Sequence, residues 1–140
     1  MQTSRRRTAL VVTTLLGMAV LLGCDSFGPQ EPEGPGDIFV DLQSPNGDEG
    51  AAVFEIEDGS GLREVTAASG WIFQERVGEG IRVVVLMTTP GPIHFKIGAD
   101  DVGQLPTVSV VQVAGPENQL RESLAEYEVE LFEIAERGAR

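Results

Sequence analysis

The chain has 140 residues, with 22 acidic residues against 10 basic ones and a net charge of −12. This charge argues against nucleic acid or an anionic membrane surface as a partner, because like charges repel. A single cysteine excludes a disulfide within the chain, so a folded domain must depend on its apolar core. The length suits one domain with a core of that kind.

The first 23 residues have the pattern of a signal peptide. Three arginines, residues 5–7, precede an apolar run of 14 residues, residues 9–22. This run is shorter than the about 20 residues of a membrane-spanning helix and fits the about 7–15 residues of a signal-peptide core. We therefore predict a signal peptide over residues 1–23. Ser-Arg-Arg at residues 4–6 also hints at a twin-arginine signal, so that route and the general secretory route both stay open.

The end of this apolar run resembles the lipobox of bacterial lipoprotein precursors. It reads Leu21-Leu22-Gly23-Cys24, and Cys24 is the only cysteine. The resemblance implies cleavage between Gly23 and Cys24 and attachment of diacylglycerol and a further acyl chain, such as palmitate, to Cys24. Two or three chains anchor firmly, since each buried methylene contributes about 0.8 kcal/mol. An ordinary secretory signal peptide is the alternative.

The residue after the lipobox bears on sorting. Asp25 resembles the signal that retains lipoproteins at the inner membrane of enteric bacteria. The choice between the inner and the outer membrane stays open. Residues 24–37 contain three prolines and three glycines and almost nothing apolar, which predicts a flexible tether.

From residue 38 onward, short runs of β-type residues are separated by turn residues. Along residues 38–43, Ile38, Val40 and Leu42 face one way and the residues between them face the other, and residues 93–97 alternate between apolar and polar side chains. Asn46-Gly47 is a strong turn signal. Residues 81–87 are almost continuously apolar, which predicts a central strand covered on both faces. We therefore expect an all-β domain over residues 38–135, followed by a frayed tail over residues 136–140. Its predicted form is a single antiparallel β-sandwich of about seven to nine strands.

The segment before the tail fits two structures. Apolar residues recur there at helical spacing, while Tyr127, Val129 and Leu131 alternate with Glu128 and Glu130 as in a strand. We prefer a final strand over about residues 126–134, which covers a sheet edge. A helix within residues 119–134 stays open.

The order of these strand patterns resembles that of the cohesin-type β-sandwich, a jelly-roll architecture related to carbohydrate-binding modules. The resemblance implies a protein-interaction face built on strands. No dockerin-like calcium repeat accompanies it. The segments that carry it are residues 51–56, 62–68, 81–86, 91–97 and 108–113.

The residues that could carry chemistry are few. His94 is the only histidine, and a multi-histidine metal site or a recognisable catalytic arrangement is absent from the sequence. Asp48, Asp100 and Asp101 are weak candidates for a metal site, but their loops lack the spaced acids of a calcium loop. We expect neither catalysis nor a cofactor.

Trp71 is the only tryptophan and has two interpretations. Exposed on a flat sheet face, it could stack on a sugar ring. Beside Ile72 and Phe73, it is more often part of a core, which is the prediction we prefer.

These patterns predict a lipid-anchored cell-envelope protein on the extracytoplasmic side, with a non-catalytic sandwich that binds another protein or serves assembly. A carbohydrate-binding lipoprotein, with a polysaccharide as partner, is the first alternative and requires Trp71 or Tyr127 to be exposed on a flat face. A small hydrolase is the second and requires two acids, or His94 and an acid, in one pocket.

Overall fold

The computed structural model describes residues 31–136, and the regular structure of this part is entirely β-strand. The all-β prediction is confirmed. The predicted signal peptide, Gly23, Cys24 and Asp25 lie outside the described residues, as do residues 137–140. From Pro32 onward, the described residues form one compact unit that contains eight strands. The strands are β1 (Gly36–Gln43), β2 (Glu49–Ile56), β3 (Leu62–Ala67), β4 (Trp71–Val77), β5 (Gly80–Gly91), β6 (His94–Ala99), β7 (Val108–Ala114) and β8 (Glu128–Ala135).

The strands form two antiparallel sheets of four, as a β-sandwich requires. The first sheet has the order β3-β6-β1-β8, and the second sheet has the order β4-β5-β2-β7. The pairs β1–β8, β2–β7, β3–β6 and β4–β5 are nested within one another, which is the rolled-up strand arrangement of a jelly roll. The prediction of a single antiparallel β-sandwich is therefore confirmed.

The core lies between the two sheets and follows from the alternation of side chains along each strand. Ile38 and Val40 of β1 are buried on one side, and Val83 of β5 is buried on the other. Phe54 and Phe95 meet at the centre, with ring centroids 5.0 Å apart and planes at 62°. This edge-to-face geometry is favourable for aromatic pairs, and burial of each such side chain stabilises the fold by about 1.5–3 kcal/mol.

The first strand begins before the predicted domain boundary at residue 38. β1 starts at Gly36, and the N–H of Gly34 donates a 2.9 Å hydrogen bond to the Asp101 carboxylate. The carbonyl of Gly34 accepts from Val102, and that of Pro35 accepts from Glu136. The last residues of the predicted tether are thus fastened to the sandwich.

The predicted two-sided burial of residues 81–87 is wrong. β5 has a neighbouring strand on each edge, and Val83 and Val85 are fully buried, but Val84 is half-buried and Leu86 is 41% exposed. Apart from Arg82, the run is apolar because Val84 and Leu86 on the solvent side of the strand are themselves apolar.

The final segment is a strand. β8 lies at the edge of the first sheet beside β1, with Leu131 opposite Val40 and Val129 opposite Leu42. Both side chains pack on the core. Residues two positions apart share a face of a strand, whereas in a helix they would not.

Candidate functional site

The second sheet presents an apolar outer face to solvent. Every second side chain of β2, β4 and β5 points away from the core, and the strand register brings these side chains into rows across the sheet. Across these three strands two adjacent rows are wholly apolar, and on β7 the polar Gln112 lies opposite Val53. We define the apolar face as the six side chains of these rows: Ala51, Val53, Trp71, Phe73, Val84 and Leu86.

The largest side chains of the apolar face are strongly exposed. Trp71 is 67% exposed and Phe73 57%. The prediction that Trp71 packs into the core is wrong, because alternation along β4 directs Ile72 towards the core and its two neighbours outward. Contiguous exposed apolar surface of this kind typically marks an interaction site.

A charged row borders the apolar face. Glu75, Arg82 and Glu55 lie opposite one another on β4, β5 and β2. The guanidinium of Arg82 donates to Glu55 at 2.6 and 3.2 Å. Because both side chains are almost half exposed, this ion pair adds little stability. Its effect is to mark where the apolar surface ends.

The outer face of the first sheet is less uniform. Phe39 lies opposite Phe132, and both are exposed. The neighbouring positions are charged, since Lys96 lies opposite Phe39 and forms a 3.0 Å ion pair with Asp37. Charged groups at the centre of this face distinguish it from the apolar face of the second sheet.

A buried carboxylate lies at one end of the sandwich. Glu49, at the start of β2, is 1% exposed. One carboxylate oxygen accepts hydrogen bonds from the hydroxyls of Ser44 at 2.7 Å and Tyr127 at 2.5 Å. The other accepts two from the guanidinium of Arg121, at 2.9 and 3.1 Å. We call these four residues the Glu49 cluster.

The hydrogen bonds determine the charge state of the Glu49 cluster. Burial alone would raise the pKa of Glu49, but hydrogen bonds from Tyr127, Ser44 and Arg121 and the charge of Arg121 outweigh burial, so this pKa is lowered. The pKa of Arg121 is raised, chiefly by its hydrogen bonds to Glu49. Among the described residues, every buried side-chain polar atom has a partner. A fully satisfied network of this kind fastens the loops that contribute to it.

A shallow hollow lies beside the Glu49 cluster. It measures about 390 Å³, and Asn46, Arg121, Glu122, Glu126 and Tyr127 are among its lining residues. A second hollow of about 240 Å³ lies near Arg82, at the end of β2 and the start of β5. His94 lines neither hollow; it is exposed on β6, opposite Asp41. Tyr127 is only 9% exposed, so it offers no platform for a sugar.

The weak metal candidates do not converge. Asp48 lies in the turn after β1, whereas Asp100 and Asp101 follow β6 beside the start of β1, so the eight residues of β1 separate them. Asp100 pairs with Arg63 at 2.7 Å. Asp101 accepts hydrogen bonds from the N–H groups of two glycines and from a glutamine side chain, which lower its pKa. Within residues 31–136, no three His, Cys, Asp or Glu side chains are grouped to hold a metal ion.

Sequence reasoning missed both the apolar face and the Glu49 cluster. By simple alternation along β2, Glu49 would point outward like Ala51 and Val53. The pairing of β2 with β5 is irregular between Glu49 and Ala51, so alternation does not hold there. The residues that enclose its carboxylate are distant in sequence, and no local pattern indicates them.

Comparison with known proteins adds no relative. No protein-family model matches the chain, and no curated protein or solved structure matches it. In the described part of the chain, no helix is long and apolar enough to cross a membrane.

Proposed function

We propose that this chain is a lipid-anchored cell-envelope protein whose β-sandwich binds another protein through the apolar face. The observation that carries the proposal is the exposure of Trp71, Phe73 and Leu86 side by side on one flat sheet. Large apolar side chains in contact with water cost free energy, which a partner's surface recovers by covering them.

The composition of the apolar face favours a protein as partner. Four of its six side chains are aliphatic, and aliphatic surface packs against apolar side chains of a second protein. Trp71 and Phe73 would be its anchors, since rigid aromatic side chains contribute most binding energy at protein interfaces.

The lipid anchor is the second part of the proposal. The lipobox at residues 21–24 supports it, together with an apolar leader too short to span a bilayer. Cys24→Ala should abolish metabolic labelling with palmitate and release the protein from the membrane fraction. Persistent labelling and unchanged membrane retention would refute the anchor.

Site-specific photo-cross-linking tests the protein partner. A photoreactive amino acid replaces Leu86 in the full chain, expressed in its native envelope. We expect irradiation to join the chain to a second protein, giving a discrete band of higher mass. The matched control places the same amino acid at Phe132, an exposed apolar position of the first sheet. Equal products from both positions, or none from Leu86, would contradict the proposal.

Carbohydrate binding is the second candidate, because Trp71 is exposed on a flat face as a sugar platform would be. Since Trp71 is the only tryptophan, the intrinsic emission of the chain reports on this face alone. Titration with soluble cell-wall glycan should shift that emission if a sugar stacks on the ring. Unchanged emission at saturating glycan would exclude this candidate.

A further inference from the structure

Four strands lie at sheet edges, and β4 differs from the other three. β3 and β8 are the edges of the first sheet, and β4 and β7 those of the second. An edge strand has unpaired backbone N–H and C=O groups along one side, to which another strand can bond.

Three of the edges have features that prevent such pairing. The register of β3 shifts between Leu62 and Val65, and that of β7 shifts at its pairing with Val53 and Phe54. Beyond this shift, β7 also bridges to Leu120. β8 carries three glutamates and no basic residue. Irregular pairing and charge are the usual protection of natural sheet edges.

β4 has none of this protection. Its pairing with β5 runs without a register shift from Trp71 to Val77. Its two charged residues, Glu75 and Arg76, have opposite signs, so the strand is neutral although the chain is strongly acidic. A neutral, regular and aromatic edge can therefore approach another copy of itself without the charge repulsion that β8 would impose.

We propose that β4 pairs antiparallel with β4 of a second copy, joining the two second sheets into one sheet of eight strands. The register centred on Phe73 fits the sequence best. It places the two Phe73 side chains opposite each other, and each Trp71 diagonal to the other copy's Phe73 and opposite its Glu75. Aromatic cross-strand pairs stabilise sheets. The two-fold axis that relates the copies makes the interface self-complementary.

This pairing continues the apolar face across the interface. In each copy the face reaches β4 through Leu86 and Val84, which lie opposite Trp71 and Phe73. The dimer therefore doubles the apolar face and places four aromatic rings at its centre. The inference goes beyond the proposed function and does not depend on it, because the backbone edge forms the dimer and leaves the face open.

Disulfide trapping tests the register. The soluble fragment of residues 25–140 contains all eight strands and lacks the natural cysteine. In the Phe73-centred register, opposing Cα atoms lie about 4.5–5.5 Å apart, within the range of a disulfide. Phe73→Cys should therefore give a covalent dimer under mild oxidation. Glu75→Cys is the control, since its two copies would lie roughly 13 Å apart. Equal cross-linking of both variants, or none of Phe73→Cys, would overturn the inference.

Sedimentation equilibrium gives a second measurement without cysteines. The unmodified fragment should sediment as a dimer, and Phe73→Lys as a monomer. Phe132→Lys introduces the same charge at an exposed phenylalanine of the first sheet and should remain dimeric. A monomeric unmodified fragment or a dimeric Phe73→Lys variant would overturn the dimer. The mass of the product that Leu86 cross-links in the unmodified chain shows separately whether a different protein is bound, because a second copy of the chain would give twice the mass of the chain.

Discussion

Tyr127 donates a 2.5 Å hydrogen bond to the buried carboxylate of Glu49, although 78 positions separate the two residues in sequence. Tyr127 also accepts a 2.8 Å hydrogen bond from the side-chain amide of Asn46. The pair thus joins the start of β2, the turn after β1 and the connection between β7 and β8. Three segments that have no strand pairing with one another are fixed at one point.

Tyr127→Phe should destabilise the sandwich measurably. The substitution keeps the ring but removes the hydroxyl, so Glu49 loses one of its four hydrogen bonds in a buried site. A hydrogen bond to a charged group contributes about 1.5–3 kcal/mol, and we expect a loss of this size in urea unfolding. Glu126→Gln, at an exposed position of the same connection, should leave the unfolding midpoint nearly unchanged. A Tyr127→Phe variant as stable as the parent would show that the bond contributes nothing.

Arg121→Met should cost more stability than Tyr127→Phe. It removes both hydrogen bonds to one oxygen of Glu49 and leaves the buried carboxylate without its counter-charge. Adding Glu49→Gln should recover part of the loss, because a neutral amide tolerates burial better than an unpaired carboxylate. The measurement is a thermodynamic cycle of the two single variants and the double variant. If the stability losses of Arg121→Met and Glu49→Gln simply add in the double variant, the two residues are not coupled and the prediction is wrong.

Acid should weaken the sandwich partly through Glu49. Because its pKa in the folded state lies below its ordinary value of 4.5, the ionised carboxylate stabilises the fold above that value. The contribution is lost as the pH falls through the lowered pKa. The stability difference between the parent and Glu49→Gln should therefore narrow as the pH falls below about 4.5. The pKa values of Asp58 and Asp101 are also lowered, but both residues are present in the parent and in Glu49→Gln. Their contributions to the pH dependence of stability therefore cancel in the difference. A difference that is independent of pH would exclude ionised Glu49 as its source.

Val83 and Val84 should respond very differently to the same substitution. Val83 is fully buried between the sheets, whereas Val84 belongs to the solvent-facing apolar face. Val83→Asp leaves a charge unpaired in the core and should cost about 3–5 kcal/mol, while Val84→Asp should cost far less. Where Val83→Asp fails to fold, Val83→Ala should still lose about 2 kcal/mol. Equal melting temperatures for the same substitution at the two positions would contradict the placement of Val83 in the core and of Val84 on the outer face.

Trp71 should behave as a residue in contact with water. Because it is the only tryptophan and is 67% exposed, its emission should be red-shifted and readily quenched by acrylamide in the monomeric Phe73→Lys variant. Trp71→Ser should change the stability of that variant by less than about 0.5 kcal/mol, as is usual for surface positions. Blue-shifted, protected emission would place Trp71 in a core.

Local alternation predicted the strands because a side-chain period of two is a property of the strand itself. It therefore located β1 and β6 and favoured a strand for β8. It could not show whether Val84 and Leu86 are covered, because burial depends on which sheet packs on which. The same limit applies to Trp71, which is exposed because it lies with Leu86 on the outer face of the second sheet. The burial of Glu49 could not be predicted from neighbouring residues, since its partners Arg121 and Tyr127 come from a distant connection.

The pairing of β1 has a consequence for how the chain matures. β1 bonds to β6 on one side and to β8 on the other, so the first strand needs the last one to complete its sheet. A chain that emerges amino terminus first, from a ribosome or a translocation pore, therefore exposes β1 until residue 135 has followed. Contacts between such distant segments form slowly. The order of the strands thus delays completion of the first sheet until the last strand is available.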